Sequence, residues 1–296
     1  MKLKVILVAL TALVSVPYIG AQSFDLDGIH YKITDADAKE VEVAYCYMRL
    51  EKAEIPEKVD FEGTTYTVTT IGAHAFGSSA HLTSLTIPNT VTSIKEWAFE
   101  GCSGLKSFII PASVTSLGDF AFLRCSGLTS LTIPSSVVSI GEWTFSDCTG
   151  LKSVEIPNSV TSIRGGAFYK CVGLTSISIP SSVTSIAGST FYGCSGLTSL
   201  EIPNTVTSIG GSAFGGCQGL TNIRIPDSVT SIGDNAFSGC TGLTSIVIPN
   251  SVITIGKSAF MACSRVEEVT IPNSVTSIGG YAFADCESLT SVSVGT

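Results

Sequence analysis

Proline occurs at Pro88, Pro111, Pro134, Pro157, Pro180, Pro203, Pro226, Pro249 and Pro272, every 23 residues without a slip. Cysteine keeps the same interval from Cys102 to Cys286, and phenylalanine keeps it from Phe76 to Phe283. Self-similarity at a fixed period of this size predicts a solenoid, in which each repeat is one coil and equivalent side chains stack into ladders. Such a scaffold constrains function weakly, because the ligand is set by the few positions at which the repeat varies.

One unit, Gly127 to Gly150, shows what each coil has to do. Leu128, Leu131 and Ile133 form the strand pattern LxxLxI, with Leu131 and Ile133 on one face and Ser130 and Thr132 on the other. Pro134 cannot donate to a ladder and ends the strand. Val137 and Ile140 turn back inward, Gly141 makes a corner, and Thr144 to Cys148 form one tight helical or 3₁₀ turn that buries Phe145 and Cys148. About seven apolar side chains per coil, at ~2 kcal/mol each, offset much of the ordering entropy once neighbouring coils cover both faces. The fold class expected is therefore a β-rich solenoid with one parallel strand per 23-residue coil.

The chain begins with Lys2 and Lys4, then the apolar run Val5 to Ile19, then Gly20, Ala21 and a polar Gln22. This is the pattern of a secretory signal peptide cleaved after Ala21; the run is shorter than the ~20 residues a membrane span needs. The expected organisation is a signal peptide at 1–21, an N-terminal β cap with a first irregular repeat at 22–70, and the solenoid at 71–296. Within the cap, a hairpin is expected to turn at Glu62-Gly63 between Val59 and Val68. Removal of the leader leaves 14 basic against 24 acidic residues, a net charge of −10. That balance argues against nucleic acid and anionic lipid as partners. At the other end, strand Leu289 to Val294 has no coil after it and lacks the expected proline, which predicts self-association through that edge.

Ten cysteines in an exported chain would ordinarily suggest a disulfide framework. Stacked coils instead hold equivalent residues ~4.8 Å apart with parallel Cα–Cβ vectors, whereas a bridge needs Cβ atoms ~3.8 Å apart and facing one another. The ladder cysteines are therefore read as buried, reduced, weak S–H donors, and Cys46 stands apart in the cap. No CxxC pair with a nearby histidine offers a zinc set, and no nucleophile, base and orienting acid recur together. Neither an enzyme nor a cofactor is expected.

The motif LTSLTIP…VTSIG…AF…C…GL, recurring in register from Ile55 onward, resembles the BspA-type leucine-rich repeat of secreted and surface proteins in Bacteroides-like bacteria and some mucosal protists. The opening FDLDGIHYKITD followed by EIPEKVDFEGTTYTVTTIG resembles the N-terminal cap of the bacterial members. The resemblance implies an adhesin-like module, secreted or held at the cell surface, that engages host or bacterial surface and matrix proteins. A glycan-binding or purely structural envelope role is the alternative.

Candidate binding residues lie where the repeat varies. The outward strand column reads Thr86, Ile109, Thr132, Glu155, Ser178, Glu201, Arg224, Val247, Thr270, Ser293, and its neighbour is nearly all serine, broken by Asn222 and Glu268. A second column, two residues before the ladder phenylalanine, reads His74, Trp97, Phe120, Trp143, Gly166, Ser189, Ser212, Asn235, Ser258, Tyr281. Trp97, Phe120 and Trp143 are expected to form an aromatic strip ~10–15 Å long, edged by Glu96, Asp119 and Glu142. Partner docking and sugar stacking are the functional readings; a corner that tolerates any residue is the bland one. Three stacked carboxylates at one spacing also match the oxygen-rich ligand set of a Ca²⁺ site.

Overall fold

A computed structural model describes residues 22–46 and 50–295. The signal-peptide assignment at 1–21 lies outside the described residues. The chain forms a parallel β-solenoid, and no helix occurs among the described residues.

The cap opens with β1 (Ser23–Leu26), β2 (Ile29–Asp35) and β3 (Glu40–Cys46), paired antiparallel in that order. β4 (Lys52–Glu54) is followed by β5 (Lys58–Phe61) and β6 (Thr64–Ile71), and the last two form an antiparallel hairpin. Its turn residues Glu62 and Gly63 have φ of 49° and 78°. Two left-handed residues in a two-residue loop give the backbone twist that flanking strands need. β3 pairs β6 in parallel, and Thr70 and Ile71 of β6 pair Ser93 and Ile94, so the cap sheet runs directly into the solenoid. Glu42 is the one charged side chain buried here, held by Lys95 at 2.6 Å and Lys32 at 3.8 Å. A buried carboxylate requires such partners, so this contact ties the cap to the coil that carries Lys95.

In the coils, strands such as Ser107–Ile109, Ser130–Thr132 and Ser153–Glu155 pair in parallel, residue for equivalent residue. Their central residue is buried and the flanking two are exposed, as period-two alternation demands. After each proline the chain turns back by a bond such as Val137 N–H to the Pro134 carbonyl at 3.0 Å, and a two-residue Ser-Ile strand starts a second sheet. Gly150 marks the return to the first sheet. A Cβ there would lie 2.5 Å from the Ser126 carbonyl oxygen of the preceding coil, so only glycine fits.

The tight turn over Thr144 to Cys148 is present, but it is a chain of β-turns rather than one helical turn. Alternate N–H groups take different partners: Ser146 and Cys148 bond back to Trp143 and Phe145, while Trp143, Phe145 and Asp147 donate to Gly165, Ala167 and Tyr169 of the next coil. Left-handed φ at Trp143 and Asp147 enforces the alternation and prevents a helix from propagating.

The core is a set of ladders. Phe76 through Phe283 stack with successive ring centroids 5.1–5.7 Å apart. Each ladder thiol donates to the carbonyl of the phenylalanine 26 residues earlier, as Cys148 Sγ does to Phe122 at 3.2 Å. Such a thiol is engaged within its own ladder, facing a carbonyl rather than another sulfur. Burial pushes these thiols up from their ordinary range, to about 12 for Cys102 and Cys194.

Candidate functional site

The column holding Trp97, Phe120 and Trp143 sits on the turn side, at the first residue of the turn chain. Every member, from His74 to Tyr281, has φ between 53° and 66°. Gly166, Ser189, Ser212, Asn235, Ser258 and Tyr281 occupy it in the later coils, of which glycine and asparagine tolerate the left-handed region best. For a bulky residue the conformation is an outlier costing about 1–2 kcal/mol. Trp97, Phe120 and Trp143 therefore carry strain that three consecutive coils retain, although these side chains are only partly buried.

The structure joins part of the expected strip and divides the rest. His74 stacks on Trp97 at 5.8 Å with planes 12° apart, and Trp97 stacks on Phe120 at 4.1 Å and 9°. Both faces of the Trp97 indole are thus covered. Trp143 leaves this stack. The next coil carries Gly166, and Trp143 lies directly over it, with ring atoms 2.5–2.8 Å from where a Cβ would stand. From there it meets Tyr169 at 4.9 Å, and Tyr169 stacks on Tyr192 at 5.0 Å and 11°. Lys170 places its Nζ 5.2 Å from the Tyr169 ring. Two aromatic runs therefore flank one turn edge, offset by one coil.

The carboxylates beside the strip are not a cation site. Arg164 Nη1 donates to Asp119 at 3.1 and 3.3 Å, and Nη2 donates to Glu142 Oε1 at 2.9 Å. Asp119 Oδ1 also accepts the Glu142 N–H at 2.7 Å. The guanidinium occupies the place a divalent ion would take, and no group of three metal-ligating side chains exists among the described residues. Glu96, Trp97, Asp119, Phe120 and Arg164 line an open depression of about 450 Å³. The repeat pattern does not single out Arg164, Tyr169 or Tyr192. Arg164 nevertheless carries a signal: its column is glycine or alanine in every other coil except for Lys95, and both basic residues face acids.

Glu155, Glu201 and Arg224 lie elsewhere, on the outer face of the strand sheet. Glu155 pairs in register with Ser178, Ser178 with Glu201, and Glu201 bridges to Arg224. Glu155, Ser178 and Glu201 border an open depression of about 540 Å³ between rows of serine. In the same column Ile109 is 81% exposed and Val247 70% exposed, the two most solvent-exposed aliphatic side chains among the described residues. Nearer the cap, Leu85, Ile87, Ile109 and Ile110 line a depression of about 530 Å³ together with Ser84, Thr86, Asn89 and Ser107.

No helix among the described residues is long and apolar enough to cross a membrane. No curated protein matches the chain. Among solved structures it is similar to a leucine-rich repeat protein from Bacteroides ovatus, 36% identical over 92% of this chain and 71% of that one, with a TM-score of 0.87. It is also similar to the T. pallidum leucine-rich repeat protein, 28% identical over 67% of this chain and 91% of that one, with a TM-score of 0.60. A leucine-rich repeat protein from Eubacterium ventriosum, 20% identical over 92% of this chain and 96% of that one, shares the fold at a TM-score of 0.53. The BspA type leucine-rich repeat region matches in six copies over residues 69–198 and 184–296. With its Ile-Pro, Ser-Ile-Gly, Ala-Phe and Cys elements each on a ladder of the coil, the chain belongs to the BspA-type leucine-rich repeat family.

Proposed function

We propose that this chain is an exported, non-catalytic, adhesin-like binding solenoid, secreted or held at the cell surface, which engages host or bacterial surface and matrix proteins. The basic and apolar leader supports export. The observation that carries the binding role is the consecutive run of bulky aromatics at a left-handed position that the next five coils fill with glycine, serine or asparagine, with Tyr281 the one later aromatic. Strain of this kind persists where something outside backbone preference requires the side chain. Stacking returns about 0.5–1.5 kcal/mol per pair, roughly what the conformation costs, so fold stability alone supplies little reason to keep these residues.

A protein partner is favoured over a glycan. Sugars stack on an exposed aromatic face, whereas the Trp97 ring lies between His74 and Phe120. The variant Trp97→Ser/Phe120→Ser uses the residue that later coils hold at this position. It is expected to stay folded, with Tm within a few degrees of the parent, while capture of immobilised surface and matrix proteins drops at least tenfold. Unchanged capture refutes the role of the strip, and quenching of tryptophan fluorescence by oligosaccharides would move the assignment to glycans.

A further inference from the structure

On the strand face, Ile109, Glu155, Glu201 and Val247 stand on every second coil of the outward column, and the exposed Arg224 lies between the last two. Thr132 and Ser178 stand between the others. Parallel pairing in register fixes the interval as far as Glu201, since Ile109 faces Thr132, Thr132 faces Glu155, and Glu155 faces Ser178 and then Glu201. Beyond it Glu201 meets Arg224 in an isolated bridge, and the Thr244 N–H bond to the Thr221 carbonyl at 3.2 Å carries the stacking to the coil of Val247. At ~4.8 Å per strand Ile109, Glu155, Glu201 and Val247 are about 9.6 Å apart and span about 29 Å along the solenoid axis. Among the described residues neither glutamate has an ion-pair partner, and both aliphatic ends are exposed.

We infer that this row is a docking site for a polypeptide in the polyproline II conformation, carrying basic residues three apart between apolar residues three further out. Spacing decides among the regular conformations. A polyproline II helix repeats on one face every three residues, about 9.3 Å, so ten residues place four side chains over about 28 Å and stay in step with the row. An extended β-strand repeats on one face about every 6.6 Å and falls out of register at the second residue. An α-helix returns to the same face every seven residues, about 10.5 Å, and overshoots the row by about 3 Å. The solenoid strands also run across the axis, so a ligand lying along it cannot join the sheet. Polyproline II needs no such partner, because its backbone is solvated, and its carbonyls meet the serine and threonine hydroxyls and Arg224. Charge complements charge, with two carboxylates facing two cations, and the apolar ends seat on Ile109 and Val247.

This inference rests on the chain being a binding protein but uses a face separate from the aromatic strip. The test is calorimetric or fluorescence titration of the purified protein with Leu-Pro-Pro-Lys-Pro-Pro-Lys-Pro-Pro-Leu. The comparison peptide has the same composition with its lysines five apart. The matched peptide is expected to bind at least tenfold more tightly, and more weakly as salt is raised. Glu155→Gln/Glu201→Gln is expected to lose at least tenfold, as is Ile109→Thr/Val247→Thr, which places in both coils a residue the column already accepts at Thr132 and Thr270. Trp97→Ser/Phe120→Ser is expected to bind the peptide as the parent does, so the strip and the row can fail separately. Equal affinity for both peptides overturns the inference, as does unchanged binding by both double variants or tighter binding of an α-helical peptide with lysines seven apart.

Discussion

The thiol of Cys194 shows how little freedom a ladder residue has. Its Sγ donates to the Phe168 carbonyl at 3.1 Å, and that carbonyl also accepts the Cys171 N–H at 3.2 Å. Removing the sulfur therefore leaves the carbonyl satisfied, while replacing it by a smaller hydroxyl leaves a polar group in a gap shaped for sulfur. Cys194→Ser is expected to cost about 1–3 kcal/mol and Cys194→Ala less, read from the midpoints of denaturant unfolding. A larger loss for alanine would mean the S–H bond outweighs the packing. Thiol-reactive probes on the native protein should label only Cys46 and Cys286, the two that are not fully buried. Labelling of Cys148 without denaturant would contradict the ladder. The burial of Cys102 to Cys263 is legible in the cysteine interval, but the partial exposure of Cys286 is not, because the interval treats all nine ladder positions alike. Nor is the left-handed φ at Trp97, because the column mixes aromatics with glycine and serine and periodicity says nothing of backbone sign.

At the scale of the coil, interactions reach the nearest neighbours, with a few exceptions. Backbone bonds, ladders and thiol contacts all join adjacent coils, which makes stability nearly a sum of local terms. Arg164 is an exception, since it reaches back two coils to Asp119 as well as one to Glu142. The sequence places each of these residues on a column but not the lean of one side chain over the next coil. That lean depends on Gly166 leaving room for Trp143, and on Arg164 replacing the usual glycine. Deleting the 23 residues Leu197 to Gly219 removes one coil without touching the strip or the Arg164 clasp. It should yield a shorter protein with undiminished far-ultraviolet β signal per residue and a modestly lower Tm. Deleting Leu151 to Gly173 removes Arg164, Gly166 and Tyr169, leaves Asp119 and Glu142 unneutralised, and should cost several degrees more. Equal losses would show that the clasp and the aromatic run add nothing to nearest-neighbour stacking.

For the whole molecule, the ladders turn a small effect at one residue into a collective one. Burial raises the thiols from an ordinary value near 9 to about 12 at Cys102, Cys194 and Cys240, and Cys125 and Cys148 shift in the same direction. Tyr31 in the cap is also raised by burial, to about 12. The unfolded chain releases the thiol protons from about pH 9, whereas the folded chain holds them for about three pH units more. Bound protons are then fewer in the unfolded state, and stability falls as pH rises. This contribution is whole below about pH 9 and disappears progressively toward about pH 12. Each buried thiol adds up to ~1.4 kcal/mol per pH unit within that window, so several together dominate any single surface charge. Tm should be nearly flat from about pH 7 to 8.5 and drop steeply above about 9. Cys148→Ala/Cys194→Ala should start from a lower Tm at about pH 7 but lose less of it by about pH 10, because two of the titrating groups are gone. Parallel curves for parent and variant across that alkaline range would show that the loss originates outside the cysteine ladder, with Tyr31 the next group to remove.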